Sequence, residues 1–180
     1  MYFVSGNSNK FREVKAFMSG FNLEQVTLDI PEIQGSAQEI AKDKAVKAAL
    51  QMGRPVFVED TGLFLNALGG FPGPYVKYFF DGVKKEGLHQ MLSSLKDTSA
   101  YSQCTIGYCI PGHEPLIIVG QCTGNIVPPR GETKFLFDNI FIPKGHTRVF
   151  SEMNLEEKNQ ISHRGKAFDQ FVKYLSSHQP

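Results

Sequence analysis

Two adjacent acids, Glu59 and Asp60, follow an apolar run and precede the pair Thr61-Gly62. Carboxylates at the carboxyl end of a strand in an α/β sheet lie where ligands usually bind, and their hard oxygen atoms suit Mg²⁺. Glu32 stands in a loop bounded by proline and glycine and is a candidate for a further metal ligand. Each segment is also typical of a solvated surface turn, so neither identifies a metal site alone.

A second candidate site is the glycine-containing loop between the first apolar run and the first helical pattern. It consists of Ser5, Gly6, Asn7, Ser8, Asn9 and Lys10. Such a loop can direct backbone N–H groups and a helix N-terminus toward phosphate, and Lys10 adds a positive charge. The segment lacks the second glycine and the Lys-Ser/Thr ending of a P-loop. It also fits an ordinary strand-to-helix turn in which Asn7 or Ser8 caps the helix.

Two further segments carry cations. Segment 69–77 is too rich in glycine and proline for regular structure, and it could fix Lys77 over a cleft or serve only as a structural corner. Segment 158–166 places Lys158, His163 and Arg164 near the start of the last helical pattern. These side chains could contact phosphate or a base carbonyl, although a run of charge is also typical of a solvated helix face.

The hydrophobic pattern predicts the elements that position these residues. It indicates a strand at 1–4, a helix after the glycine loop, a strand over 26–30, and an alanine-rich helix between a capping box at 36–39 and Gly53. A strand over 55–59 would place the two acids at its end. Segment 63–95 fits short helices, the turn at 111–114 fits a long hairpin, and the chain from 155 onward fits a closing helix.

This order of elements predicts an α/β fold in which a mixed twisted central sheet is flanked by helices, with a cleft where loops converge. The absence of repeats and linkers in the sequence favours a single domain over 1–180. The formal net charge of +1 gives no global field for nucleic acid or an anionic membrane, so a small ligand is expected. Three cysteines without metal-like spacing favour a reducing, cytoplasmic location, and no apolar run is long enough to span a bilayer.

Taken together and in this order, the segments resemble the inosine triphosphate pyrophosphatase family, the non-standard purine nucleoside triphosphate pyrophosphatases. The matching segments are 5–10, 31–35, 58–63, 68–77, 129–131 and 157–164. Each is short, but six in the family order form a specific pattern. The resemblance implies two lobes with an active-site cleft between them, a homodimer, and hydrolysis of ITP, dITP and XTP to the monophosphate and pyrophosphate, with Mg²⁺ or Mn²⁺ as cofactor.

The resemblance also implies residue roles. Segment 5–10 would cradle the triphosphate, Glu32, Glu59 and Asp60 would bind the metal, and Asp60 would activate the attacking water. Lys44 and Lys77 would neutralise phosphate charge. The purine would stack on Phe135, and its edge would meet Asp138, Lys158, His163 and Arg164. The remaining residues expected to bind substrate are Thr61, Leu136 and Phe137.

This chain departs from the family pattern at three positions. Ser5 stands where threonine is common, Leu136 where a small residue, often glycine, is usual, and Asn139 where proline is usual. The change at Ser5 keeps the hydroxyl, whereas the other two leave base selectivity open. The competing interpretations are a Maf-like nucleotide pyrophosphatase of different base specificity and a catalytically silent nucleotide-binding protein. The Phe-Pro-Gly-Pro and Ser-His-Arg segments argue against the first, and the retained acids and lysines argue against the second.

Overall fold

The computed structural model describes residues 1–133 and 135–178. The strands of this part are β1 (Tyr2–Val4), β2 (Glu24–Val26), β3 (Val56–Leu65), β4 (Pro72–Gly73), β5 (Ser99–Cys109), β6 (Leu116–Ile126) and β7 (Phe141–Pro143). The helices are α1 (Ser8–Phe17), α2 (Ala37–Met52), α3 (Val76–Leu95), α4 (Leu155–Ile161) and α5 (His163–Ser177), with 3-10 turns at Asn66–Leu68 and Phe150–Glu152.

The strands form an open mixed sheet in the order β2-β1-β3-β5-β6-β7, and β4 pairs with β3. Strand β1 is parallel to β2 and to β3, whereas β4 is antiparallel to β3 and β7 is antiparallel to β6. The predicted α/β class with a mixed central sheet flanked by helices is therefore confirmed. No helix of the described residues is long and apolar enough to cross a membrane.

The chain divides into two compact units. Unit 1 contains Met1–Asp60, Cys104–Val119 and the chain from Ala167 onward, and unit 2 contains Thr61–Gln103 and Gly120–Lys166. Among the described residues of unit 1, the buried apolar side chains form two groups. The first includes Phe57, and the second includes the alanines of α2. Unit 2 has one group, which includes Leu88, Phe141 and Phe150.

The predicted strand over 26–30 was wrong in its bounds, because β2 ends at Val26. Strand β2 pairs with β1 in the register Tyr2↔Glu24 to Val4↔Val26. Strand β1 itself ends at Val4, so residues after Val26 have no strand to pair with on that side. The last contact of this ladder is the Ser5 N–H, which donates to the Val26 carbonyl at 2.9 Å.

Helix α2 follows its predicted signals closely. The Ser36 hydroxyl accepts from the Glu39 N–H while the Glu39 carboxylate accepts from the Ser36 N–H, and Gly53 ends the helix with φ 60°. Its alanine face packs closely within unit 1: a Cβ added to Gly107 of β5 would lie 2.5 Å from the Ala41 carbonyl oxygen. The small residues on both elements therefore allow helix and strand to approach closely.

Strand β3 is twice as long as predicted, because it continues through Leu65. The prediction that Glu59 and Asp60 lie at a strand end beside a glycine turn was therefore wrong; both lie inside β3. The reason is β4, whose Pro72 and Gly73 pair with Phe64 and Leu63 and extend the ladder.

The closing segment also differs from its prediction, since two helices replace one. Helix α4 ends at Ile161, Ser162 is extended with φ −69° and ψ 160°, and α5 begins at His163. The Ser162 hydroxyl accepts from the Gly165 N–H at 3.1 Å. Segment 63–95, predicted to form short helices, contains the end of β3, the 3-10 turn at Asn66–Leu68, β4 and α3. Helix α3 consists of two helical stretches that meet at Lys84, where the backbone is not helical (φ 61°, ψ 174°).

Candidate active site

Unit 1 contains a carboxylate–lysine cluster. It consists of Lys10 on α1, Glu32 in the loop before α2, Lys44 on α2, and Glu59 and Asp60 on β3. The Lys10 ammonium lies 2.9 Å from a Glu59 carboxylate oxygen and also donates to the Glu59 carbonyl at 3.2 Å. Lys44 donates to the Glu32 carboxylate and lies 3.8 Å from Asp60 Oδ1. The structure thus brings together the predicted metal ligands and two of the predicted phosphate-binding lysines.

Asp60 has one carboxylate oxygen that lacks a hydrogen-bond donor in the described part of the chain. Its Oδ2 is buried and has no hydrogen-bond partner among the described residues. Burial raises the pKa of Asp60 above its ordinary value, the ammonium groups of Lys10 and Lys44 oppose that increase, and Glu32 and Glu59 add to it. A buried carboxylate with an unpaired oxygen needs a cation or a proton donor to compensate its charge.

Lys44 responds in the opposite way to the same charges. Burial alone lowers the pKa of Lys44, but the negative charges of Asp60, Glu32 and Glu59, together with the hydrogen bond to Glu32, raise it above its ordinary value. The lysine is therefore a fixed positive charge at neutral pH. Among the described residues no three His, Cys, Asp or Glu side chains are grouped closely enough to form a ready metal centre. Lys10 and Lys44 pair with these acids and offset the mutual repulsion of the carboxylates.

The glycine-containing loop is capped by its own asparagine. Asn7 Oδ1 accepts from the N–H groups of Asn9 and Lys10 at 3.0 and 3.1 Å, and the Asn7 N–H donates to Ser5 Oγ at 3.2 Å. Asn7 is therefore the N-cap of α1, as the ordinary turn interpretation predicts. The capped N–H groups already have an acceptor, so a phosphate at this helix end would rely chiefly on Gly6, Ser8 and the Lys10 ammonium.

Sequence reasoning did not identify Cys104 as part of this region. Its thiol donates to Glu59 Oε1 at 3.3 Å, and both residues are buried. A thiol is a weak donor, so this contact orients the carboxylate more than it stabilises it. The available signal was the alternation along β5, which places Cys104 on an inward face beside β3.

Unit 2 contains an aromatic–cation cluster, which consists of Phe135, Asp138, Lys158 and Arg164. The Lys158 ammonium is buried, lies 2.6 Å from Asp138 Oδ2, and is 4.2 Å from the centre of the Phe135 ring. The Arg164 guanidinium carbon lies 5.4 Å from the same ring centre. Cations at these distances from an aromatic face are attracted to it. The structure thus gathers four of the residues predicted to contact the base.

Arg164 is held by a hydroxyl group of unit 2. Its Nη2 donates to the hydroxyl of Thr61 at 3.0 Å, and its side chain is almost fully buried. Thr61, predicted to bind substrate, therefore serves at least to orient Arg164. A buried guanidinium with a fixed partner is a preorganised hydrogen-bond donor.

His163 and Phe137 lie deeper than their predicted roles suggested. His163 is buried, its Nδ1 is 2.9 Å from the Ser102 hydroxyl, and its ring packs 5.7 and 6.0 Å from those of Phe137 and Phe150. Phe137 also packs against Phe141 in the interior of unit 2. These contacts position both side chains, while their contact with a base stays a prediction. Ser102 was not identified from the sequence.

The break between α4 and α5 positions the cations. Lys158 belongs to α4, whereas His163 and Arg164 form the first turn of α5. A Cβ added to Gly165 would lie 1.7 Å from the Asn159 carbonyl oxygen, so only glycine permits this close approach of the two helices. The tight corner therefore brings cations from two helices to one ring.

Two other predicted residues lie at the surface of unit 2. Lys77 is exposed in the first turn of α3, with its ammonium 5.9 Å from the Tyr78 ring centre. Leu136 is 41% exposed. The predicted substrate contacts of Lys77 and Leu136 stay predictions.

Comparisons with known proteins agree with this geometry. The sequence pattern of the Ham1 family matches residues 1–174. A protein of Puccinia graminis f. sp. tritici named inosine triphosphate pyrophosphatase is 42% identical over 185 residues, covering 98% of this chain and 96% of the relative. One of the same name from Tuber melanosporum is 45% identical over 181 residues, covering 99% and 97%. The predicted resemblance is confirmed, and the Maf-like alternative is not favoured.

Solved structures of Ham1 proteins and of a related pyrophosphatase are also similar to this chain. A HAM1 protein from Coxiella burnetii superposes with a TM-score of 0.87 at 30% identity, covering 98% of each chain. A Mycobacterium abscessus protein described as a nucleoside-triphosphatase, dITP/XTP pyrophosphatase, superposes with a TM-score of 0.75 at 27% identity, covering 97% of this chain and 98% of its own. Because the sequence match and these similarities span nearly the whole chain, the chain belongs to the Ham1 family.

Proposed function

We propose that this chain hydrolyses non-standard purine nucleoside triphosphates, namely ITP, dITP and XTP, to the nucleoside monophosphate and pyrophosphate. The observation that carries the proposal is the Phe135 ring faced by two buried cations, Lys158 and Arg164. A ring of this kind suits a flat base, and donors beside it suit a base carbonyl. The relatives named inosine triphosphate pyrophosphatase support the same substrate class.

Base selectivity follows from the donors. Hypoxanthine and xanthine carry a carbonyl at the purine C6 position, whereas adenine carries an amino group there. Lys158 and Arg164 can donate to the carbonyl but offer no acceptor to the amino group, so adenine would leave buried donors unsatisfied. Asp138 strengthens this selectivity, because its ion pair fixes the position of the Lys158 ammonium.

In the phosphate part of the reaction, Asp60 is the proposed base that orients and deprotonates the attacking water. Its buried Oδ2 accepts no hydrogen bond from the described residues, so it could accept one from the attacking water. Lys10 and Lys44 would stabilise the negative charge of the triphosphate, and cleavage between the α- and β-phosphates would release pyrophosphate. The Ser5–Lys10 loop would provide further donors.

The donor set also fits a divalent cation. Glu32, Glu59 and Asp60 are hard oxygen donors, and the unpaired Asp60 oxygen indicates that negative charge is incompletely balanced in the protein alone. These three side chains would bind Mg²⁺, with Mn²⁺ as an alternative. When bound, the ion would neutralise the charge that develops on the phosphates.

The proposal extends to assembly and location. We expect a homodimer that acts on a small-molecule substrate without nucleic acid, in the cytoplasm. The three cysteines are free and buried, as a reducing compartment favours. Light scattering coupled to size-exclusion chromatography tests the dimer directly. The measured mass of a monomer would equal the chain mass of 20.1 kDa, whereas a dimer would have twice that mass.

A substrate panel tests the activity. Purified protein with Mg²⁺ is given ITP, dITP, XTP, GTP, ATP and CTP, and pyrophosphate and orthophosphate are followed separately. Preference for ITP and XTP with pyrophosphate as the first product supports the proposal. Orthophosphate as the first product would contradict the cleavage position, preference for a pyrimidine would contradict the base assignment, and binding without turnover would indicate a catalytically silent protein.

A further inference from the structure

Asn139 joins three segments of unit 2. It follows Asp138 directly and is only 5% exposed. Its side-chain Nδ2 donates to the Gly131 carbonyl at 2.8 Å, and its Oδ1 accepts from the Lys85 ammonium at 2.7 Å. Its backbone carbonyl accepts from the Arg130 N–H at 2.8 Å. The side chain and backbone of this residue are therefore both fixed.

Lys85 reaches Asn139 from the interruption of α3. The preceding residue, Lys84, has φ 61° and ψ 174°, a conformation that is unfavourable for lysine and persists only where surrounding contacts determine it. Burial lowers the pKa of Lys85, whereas the charges of Glu86 and Asp138 raise it, so this ammonium interacts electrostatically with the Asp138 carboxylate. Lys85 therefore acts on both Asn139 and its neighbour.

Asp138 is fixed from the other side as well. Its backbone carbonyl accepts from the Ser151 N–H at 2.9 Å, and its carboxylate holds the Lys158 ammonium at 2.6 Å. A chain of contacts thus runs from Lys85 through Asn139 and Asp138 to Lys158, the cation nearest the Phe135 ring. A displacement of Lys85 would therefore shift the Lys158 ammonium, the proposed donor to the base.

We propose that Lys85, acting through Asn139, is a positioning residue for base recognition, because it fixes the backbone from which Asp138 orients the Lys158 ammonium. The inference rests on the proposed function for its substrate. It assigns to Lys85 and Asn139 an effect on base binding and none on the hydrolytic step. No part of it requires Lys85 to touch the nucleotide.

The test compares Lys85→Met with Lys84→Met. Both substitutions remove one lysine charge from α3, but the Lys84 ammonium bonds to the Asp81 carbonyl of its own helix. We expect Lys85→Met to raise KM for ITP about tenfold with kcat changed less than twofold, and to leave the ATP parameters unchanged. Lys84→Met should match the wild type, and Lys85→Arg, which keeps the donor, should restore most of the ITP affinity.

Asn139→Leu tests the connection itself. It retains the approximate shape of the side chain but removes both side-chain hydrogen bonds, so Lys85→Met added to it should cause no further loss. Fully additive losses would overturn the inference, because Lys85 would then act by another route. Equal losses for ITP and ATP in Lys85→Met, or an ITP KM equal to that of the wild type, would also overturn it.

Amide exchange gives a readout that does not depend on turnover. The Arg130 and Ser151 N–H groups bond to the backbone of Asn139 and Asp138, so their exchange should be faster in Lys85→Met and unchanged in Lys84→Met. Unchanged exchange in Lys85→Met would overturn the positioning role. If the wild-type protein showed no preference for ITP over ATP, the proposed function would fail, and amide exchange would still decide the link from Lys85 to Asn139.

Discussion

At the scale of single residues, the environment of Asp60 opposes its own charge. Burial, Glu32 and Glu59 raise the pKa of Asp60, and the ammonium groups of Lys10 and Lys44 oppose that increase. The folded protein therefore binds a proton at Asp60 more tightly than the unfolded chain does. Stability from this group is complete below the unfolded pKa and is lost as the pH rises through the folded pKa. Ionising Asp60 therefore costs more free energy in the folded protein than in the unfolded chain.

Asp60→Asn should separate the role of Asp60 as a base from its effect on stability. The amide keeps the side-chain size but removes charge and basicity, so kcat should fall at least ~10²-fold, the lower range for a positioned general base. In metal-free buffer at neutral pH the Tm should stay equal or rise, because the unfavourable charge has gone. Steady-state kinetics and calorimetry measure the two quantities.

Asp169→Asn is the matched control for that substitution. Asp169 pairs with Lys173 on the exposed surface of α5, so its loss should alter neither rate nor Tm appreciably. A near-wild-type kcat in Asp60→Asn would move the base role to another residue. A lower Tm would show that the charge is stabilised in the folded protein.

Arg164→Ala tests base recognition. Only a substrate with a C6 carbonyl loses a contact, so ITP turnover should weaken much more than the poor ATP turnover. The ITP/ATP ratio of kcat/KM should shrink by roughly 1–3 kcal/mol, the scale of an unmade hydrogen bond to a charged donor. Kinetics on both substrates measure it, and an unchanged ratio would assign Arg164 to the phosphates.

Residue types in the sequence predicted many of the candidate site residues, but they did not predict which side chains contact one another. Glu32, Glu59, Asp60 and Lys10 were identified from their own segments, whereas Lys44 was named only through the family resemblance. Cys104 and Lys85 were missed, since a cysteine in a strand and a lysine in a helix are ordinary until their contacts with Glu59 and Asn139 are seen. Such contacts depend on long-range packing, which periodicity does not encode.

At the scale of elements, helix bounds set by local caps were predicted better than strand bounds set by pairing. The capping box and Gly53 fixed α2 because both act through neighbours in sequence. Strand ends depend on pairing: β2 stops where β1 stops, and β3 continues because β4 pairs with it. The α4–α5 break was missed because Ser162 and Gly165 act through a backbone contact with Asn159.

Gly165→Ala should therefore displace the cations of the site, because it separates helices α4 and α5, which carry them. The added Cβ would overlap the Asn159 carbonyl, and the helices must separate, which we expect to cost about 1–3 kcal/mol of unfolding free energy or more. Gly82→Ala in α3 is the control. A Cβ there meets nothing within 4 Å, so the substitution should stabilise by roughly 0.5–1 kcal/mol.

Urea unfolding of the two glycine variants measures both free energies. ITP turnover should fall in Gly165→Ala, because Lys158 and Arg164 belong to the two helices that separate, and it should be unchanged in Gly82→Ala. Equal stability of the two variants would contradict the proposed role of the corner.

At the scale of the whole molecule, charge is balanced overall and concentrated locally. The net charge is only +1, yet each unit contains a buried carboxylate that is paired with a lysine: Glu59 with the partly buried Lys10 in unit 1, and Asp138 with the buried Lys158 in unit 2. Removing one partner of a buried pair leaves an uncompensated charge, so loss of either partner should destabilise the protein. We therefore expect an anionic substrate to bind through individually placed cations, because the net charge gives no general attractive field.

If the acids of unit 1 bind a divalent cation, both the stability and the turnover of the protein should depend on that metal. A ligand that binds only the folded state stabilises it by RT ln(1 + [L]/Kd), about 1.4 kcal/mol at ten times Kd. Mg²⁺ should thus raise the Tm of the metal-free protein, and excess EDTA should abolish turnover. Glu59→Gln removes one ligand charge and should reduce the Tm increase, whereas Glu114→Gln, in an exposed pair with Lys42, should retain it. Full turnover in EDTA, or the same Tm increase in both variants, would remove Glu59 from the metal site.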